Sequence, residues 1–350
     1  VKKERVVLLC VIILAASFGQ AASRASKERL WPDNLFGVDF VSPSVGYVSG
    51  YAGSLLRTRD GGQTWEWSQV GVDELLRRVV FVNETQGWVV GHRGTILHTD
   101  NGGNSWHVQH RVPGIYLRDI AFADSKHGWA VGHEATILHT DDGGMTWHPQ
   151  SLIGYKGRDL PRLHGVTAIN AQRAVLVGEF GVVAITNNGG ATWFVQKTGT
   201  NKTLLDVSDS DDDAFVAAGV DGVLLSIDIK PEVEKSNSDN PVVITAIIES
   251  HTVEPFFAIT RWGKGRTLVA GRSVVALIDN GEVTHLAPDS SIQLPFAWYG
   301  GVDVDGEDRF WLVGVRGAIA SGSLSEGGFS RAGGLGVSDN VIIAPKEVLQ

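Results

Sequence analysis

The chain has 350 residues, 43% of them hydrophobic and 20% charged, with a net charge of −9. That balance is globular and excludes a disordered or fibrous chain, and an acidic whole argues against nucleic acid as a partner. Forty-three glycines and 11 tryptophans favour tight turns and short strands over long helices.

Residues 1–25 have the layout of a signal peptide. Lys2, Lys3 and Arg5 precede an apolar run, Val6 to Phe18, and small residues permit cleavage after Ala21 or Ala25. The run of 13 residues falls short of the ~20 that cross a bilayer as a helix. A signal anchor is the alternative reading. Cleavage after Ala21 moves the net charge from −9 to −11 and removes Cys10, the one cysteine of the chain. The expectation is an exported protein, periplasmic or extracellular, with no disulfide, no thiol chemistry and no transmembrane segment after cleavage.

Beyond this segment the chain repeats itself. GYVSGYAGSLLRTRDGGQTW (Gly46 to Trp65) returns as GWVVGHRGTILHTDNGGNSW (Gly87 to Trp106) and as GWAVGHEATILHTDDGGMTW (Gly128 to Trp147). A looser copy ends at Trp193. Aligned on one glycine, seven copies emerge at Gly50, Gly91, Gly132, Gly178, Gly219, Gly271 and Gly314. Twelve residues before each stands Val38, Val79, Ile120, Val166, Val207, Ile259 or Val302, an apolar column without exception.

Each copy divides into four short runs rich in Val, Ile, Thr and Trp, separated by Gly, Asp and Asn, which is the pattern of strands in hairpins. Four antiparallel strands every 40 to 52 residues make the blade of a propeller, because a lone blade cannot cover both of its faces. The expected fold is therefore an all-β, seven-bladed β-propeller over residues 30–330. Its blades start near 35, 76, 117, 163, 204, 256 and 299, and a tail over 331–350 follows. Either Gly328 to Val341 or residues near Trp31 complete blade seven.

The third turn of a copy reads Thr-x-Asp-x-Gly-x-Thr-Trp, the Asp-box signature, in blades one to four. Its side-chain acceptor is Asp60, Asn101, Asp142 or Asn188, and its aromatic residue is Trp65, Trp106, Trp147 or Trp193. Asp and Asn accept from the turn's own amides, and glycines take the positive-φ positions. Identical repetition around a ring marks a fold-forming turn, so neither catalysis nor metal binding is assigned to these side chains. Blades five to seven lose the signature, and Lys230 to Asn240 is a polar insertion.

Strand alternation sorts charges by face. The start of strand one and the strand two-to-three turn share one face, here called the inlet face. On it fall Arg77, Arg78, Arg111, Arg118, Lys156, Arg158, Arg162, His164, Lys197 and Lys202, with His92, Arg93, His133, Arg272 and Arg316 from the turns. Glu134, Glu179 and Asp221 oppose them. Arg77, Arg118 and His164 share one repeat column, which should place them near the central mouth. The candidate partner-binding set is Arg77, Arg78, His92, Arg93, Arg118, His133, Arg158, Arg162 and His164. Arginine forks suit carboxylates, whereas solvation of loops or pairing with nearby acids is the competing reading. His92 with His133 is one repeat position seen twice, which copying explains better than coordination. No metal and no cofactor is expected.

GWVVGHRGTILHTDNGGNSW and its copies resemble the photosystem II assembly and stability factor propellers of thylakoid lumens, of which many non-photosynthetic bacteria carry exported homologues. The resemblance is strong over blades one to four and weaker over five to seven. It implies a non-catalytic scaffold, monomeric, that binds a membrane-associated protein during assembly through a basic patch. In a photosynthetic host the location would be the thylakoid lumen. A rival reading is a glycoside hydrolase of sialidase type, with Tyr116 or Tyr155 beside Glu134 and Glu179. Against it, the Arg-Ile-Pro signature is missing and there are seven copies where that family has six. A carbohydrate-binding or adhesion module is a third.

Overall fold

The computed structural model describes residues 34–334 other than 69, 212, 231–240 and 307. The expected signal peptide, most of the insertion and the chain beyond 334 lie outside the described residues. The hairpin pattern resolves into seven antiparallel sheets, each built from one stretch of chain. The innermost strands are Leu35–Phe40, Leu76–Phe81, Leu117–Phe122, Leu163–Ala168, Leu204–Asp211, Phe256–Arg261 and Tyr299–Val304. Successive inner strands pack side by side, and Leu35–Phe40 packs on Tyr299–Val304, so the ring is closed. This is a seven-bladed β-propeller of four-stranded blades.

Blade seven takes its outer strand, Gly328–Gly334, from its own end of the chain, and blade one has four strands of its own. The ring therefore closes by packing, without a shared sheet. Two linkers add a fifth strand at an outer edge, Leu152–Ile153 beside Trp193–Val195 and Ala287–Pro288 beside Gly328–Gly334, both parallel. Capping an outer edge in this way removes unpaired backbone groups.

Among the described residues the core divides into seven apolar clusters, each straddling one blade interface. The Val/Ile column is the inner part of that core, from Val79 at 2% exposure to Val38 at 4%. Second strands such as Gly87–Gly91 are buried throughout, since a neighbouring blade covers each face. Aromatic rings join the blades. Tyr47 stacks on Phe81 of the next blade and Trp88 on Phe122, with centroids 3.7 and 3.6 Å apart, while Trp311 of blade seven stacks on Phe40 at 4.7 Å. Trp65, Trp106 and Trp147 then meet Phe40, Phe81 and Phe122 edge-on. Blade four has Ala168 in the Phe position, and there Trp193 meets Trp129 directly.

The turn that presents each of these tryptophans is held by its own side chains. In blade one Thr58 Oγ1 donates to Asp60 Oδ1 and accepts from Gly62 N, while Thr64 N and Oγ1 donate to the same carboxylate at 2.9 and 2.6 Å. Asn101, Asp142 and Asn188 repeat the arrangement. These hydrogen bonds hold the Asp60 and Asp142 carboxyls below the usual range despite some desolvation.

The aligning glycine is required by close approach. A Cβ on Gly91 would lie 2.1 Å from the carbonyl oxygen of Leu75, which accepts from His92 N at 3.0 Å. Every copy repeats the contact, with Trp298 O only 1.9 Å from a Cβ placed on Gly314.

Around the axis, buried and half-buried carboxylates tie each inner strand to another. Asp39 accepts from Phe81 N, Asp119 from Val166 N, Asp206 from Ile259 N and Asp303 from Phe40 N, at 2.6 to 3.0 Å. Each bond reaches the following blade, and the last joins seven to one. Burial raises the Asp119 and Asp303 carboxyls to about 6. Asp303→Ala should cost about 1–3 kcal/mol in denaturant unfolding, because Phe40 N is left without an acceptor. Asp303→Asn keeps an acceptor oxygen and should lose clearly less; equal losses would show that the bond is not what matters.

Candidate functional site at the channel mouth

The register of the first hairpin breaks at one place in every blade. Leu76 lies opposite Gly91 and Arg78 opposite Val90, which leaves Arg77 as a bulge. The same slip leaves Phe36, Arg118, His164, Leu205, Phe257 and Gly300 unpaired in the other six blades. A bulge re-aims a side chain and bends the strand. Seven bulges in register thus make a ring of side chains at the inlet end of the inner strands.

That ring is chemically divided. Blades two, three and four contribute Arg77, Arg118 and His164; blades five, six and one contribute Leu205, Phe257 and Phe36. In blade seven the position is Gly300, and a Cβ there would lie 2.8 Å from the Trp298 ring that covers it. Phe36 stacks on Trp298 at 5.6 Å and Phe257 meets Trp298 edge-on at 6.3 Å. Arg77 lies over the Phe36 ring, 5.0 Å from its centroid. Arg77, Arg118, Leu205, Phe257 and Trp298 line one cavity of about 290 Å³, together with Gly300 and with Arg272, which pairs with Glu254.

The electrostatics follow from burial of like charges. Arg77 is pulled down to about 9, first by desolvation and then by Arg118 and Arg78. Arg118 is lowered by burial and by Arg162. Neither arginine pairs with a carboxylate among the described residues, and Arg118 Nε is buried without a hydrogen-bond partner. His164 is 9% exposed, its Nδ1 also lacks a partner, and burial with Arg118 and Arg77 nearby brings it to about 3.

The remaining candidates are placed differently. Arg78, adjacent to Arg77, turns into the channel, where its Nε donates to Asp119 at 2.7 Å and its Nη2 to Asp206 at 3.1 Å. It serves the inner ring and is not at the mouth surface. Arg93 and Arg111 both pair with the buried Glu74. Arg162 pairs with Glu179, and its backbone N–H donates to the same carboxylate. Arg158 is 96% exposed, with only a 4.0 Å contact to Asp159. His92 and His133 flank the Tyr116 ring, at 4.9 and 5.1 Å between centroids. Both are lowered by burial and by Arg118. Of the groups that a hydrolase would use, Glu179 is engaged with Arg162 and the Tyr155 hydroxyl donates to Asp159 O. Among the described residues no three His, Cys, Asp or Glu side chains are grouped to hold a metal ion. No described helix is long and apolar enough to cross a membrane.

Charge sorting overlooked the apolar half of the mouth. Phe36, Leu205 and Phe257 occupy the same repeat column as Arg77, so reading that column for every residue type would have found them. Trp298 stands in the column of Leu75 and Tyr116, whose carbonyls meet the aligning glycines, but it is the one tryptophan there, and charge sorting passes over it.

Stability should report the His164 environment. Its folded-state value of about 3 lies below the ordinary His value near 6.5, so its contribution is complete above ~6.5 and is lost as pH falls towards 3. The raised Asp119 and Asp303 carboxyls act with the opposite sign between about 4 and 6, so a difference between proteins is needed. The fall in Tm from pH 7 to pH 4 should be smaller in His164→Gln than in the wild type. Parallel curves would refute the assignment.

Residues 27–116 and 108–197 each match the family model described as photosynthesis system II assembly factor YCF48. No curated protein matches the chain in sequence. Among solved structures, YCF48 bound to a D1 peptide is 19% identical, with 84% of this chain and 94% of that one covered at a TM-score of 0.63. YCF48 from Cyanidioschyzon merolae is 18% identical over 85% and 97%, with the same TM-score. An ancestral GH74 enzyme is 13% identical over 86% of this chain and 46% of that one, at 0.64. Over its first four blades the chain is thus similar to the photosystem II assembly factors, and the ring as a whole shares their propeller fold.

Proposed function

We propose that this propeller is a non-catalytic, exported scaffold that docks a membrane-associated or periplasmic protein on its inlet face, in the manner of an assembly factor. One observation carries the reading. Arg77 and Arg118, aimed at the mouth by bulges in adjacent blades, are cations with which no described carboxylate forms an ion pair, although Asp119 offsets part of their charge. Keeping two desolvated guanidinium groups together costs stability in the free protein, and an incoming carboxylate relieves that cost. The solved YCF48 complex with a D1 peptide supports a polypeptide as the kind of ligand. Lys197, on a groove also lined by Tyr155 and Phe180, extends the positive surface beyond the mouth, while Lys202 on the same groove pairs with Asp221.

Two measurements test the proposal. Immobilised wild-type protein should retain a specific partner from detergent-solubilised membranes of its own host, and retention should fall at least tenfold with Arg77→Gln/Arg118→Gln. Thermal unfolding should hold or rise slightly, since a buried like-charge pair is removed. Unaltered capture by a folded double variant would overturn the docking site. Purified protein should show no turnover of sialosides or aryl glycosides, whereas hydrolysis abolished by Glu134→Gln or Glu179→Gln would establish the hydrolase reading instead.

A further inference from the structure

The mouth cavity pairs two chemistries that a general anion site would not need. One wall holds Arg77 and Arg118; the other is Leu205, Phe257 and Trp298, with Arg272 beside them, its Nε held by Glu254 at 2.8 Å. An anion site for phosphate or for several acidic side chains would be ringed by donors. Here the cations without an ion pair stand on one side only, since Arg272 is held by Glu254, and desolvating a polyanion against Phe257 and Trp298 would be costly. The volume of about 290 Å³ is at the small end of ligand cavities, room for about one side chain.

We propose that this cavity is a receptor for an apolar carboxylate: one carboxylate held between Arg77 and Arg118, with an aromatic or branched apolar group directly attached and seated against Leu205, Phe257 and Trp298. The inference rests on the reading of the mouth as the docking site and names the chemistry that the site selects. Arg77 is prepared for this role. Its guanidinium lies over Phe36, which is itself stacked on Trp298, so the aromatic wall orients the cation and excludes water from one side of it. Arg118 lines the same cavity, and its buried Nε has no protein acceptor. Burial lowers both arginines, with Arg118 adding to it at Arg77 and Arg162 at Arg118, and an anion entering between them relieves that cost. His164, held neutral beside them, adds no third charge and so favours a singly charged ligand.

The same chemistry occurs in a free carboxylic acid and at the C-terminus of a polypeptide ending in an apolar residue, and titration calorimetry on the full chain separates the sources. 3-Phenylpropionate should bind at least tenfold more tightly than acetate, inorganic phosphate or 3-phenylpropionamide. Arg77→Gln and Arg118→Gln should each weaken it tenfold or more, and Phe257→Leu and Phe257→Ala by successively larger factors, with folding checked by circular dichroism. A peptide ending in Phe that binds tenfold better with a free than with an amidated terminus identifies a chain end as the source; binding of the small acid alone identifies a free acid. Equal binding of acid and amide, tighter binding of phosphate, or no binding of either acid or peptide overturns the proposal. Those last results, combined with capture still lost in the double arginine variant, would leave the docking face standing and remove only this ligand class.

Discussion

A ring of separate sheets must satisfy backbone groups where inner strands meet around an axis with no strand to pair with. This propeller does so with carboxylates. Asp39, Asp119, Asp206 and Asp303 each accept a backbone N–H of another blade, and Asp303 closes the ring by accepting from Phe40, 263 residues earlier in the chain. Thr260 also donates to Asp303, which adds blade six to the junction. Four acids at one axis, Asp119 and Asp206 buried and Asp39 and Asp303 half-buried, would repel one another, and the Asp39 carboxyl is indeed raised well above its usual range, by desolvation and then by Asp303. Arg78 answers that charge. It bridges Asp119 and Asp206 and is itself held firmly in the charged form by them. Breaking such a buried network from one side is far more damaging than never having built it.

With the axis tied in this way, the outer parts of each blade are free to differ. Where strand one carries Phe40, Phe81 or Phe122, the preceding blade supplies a stacked ring and the Thr-x-Asp/Asn turn supplies a tryptophan edge. Blades five and six have Asp209 and Arg261 at the Phe position and pair them with each other across the interface. The tryptophan-bearing turn is lost from the same blades. Blade four shows that the turn does not depend on the phenyl ring: with Ala168 in its place, Trp193 meets Trp129 of blade three.

The bulge is what links this scaffold to a site. It recurs in all seven blades and therefore belongs to the fold, which needs the tight carbonyl contact at the aligning glycine. Yet the residue it ejects from pairing is not required by any blade core. That single column is free to hold Arg, His, Leu, Phe or Gly, and the contrast between its cationic and apolar halves gives the mouth its chemistry. The tryptophan over Gly300 completes the apolar half from outside the column.

Much of this was legible in the repeats. Strand lengths, hairpin turns, the buried Val/Ile column and the placement of Arg77 and Arg118 in one column all follow from local pattern, because hairpins form between residues close in the chain. The side-chain fates of neighbours did not follow. Arg77 and Arg78 are adjacent and chemically identical, but a one-residue slip in register sends the first to the mouth and the second to the channel, against an Asp206 that is 128 residues away. Glu74 and Glu179 likewise neutralise Arg93, Arg111 and Arg162, which charge sorting alone leaves exposed and unpaired. Periodicity determined the architecture, since it is written in nearest-neighbour pairing. Which cations remain free was decided only when the ring closed and brought distant carboxylates, or none, within reach.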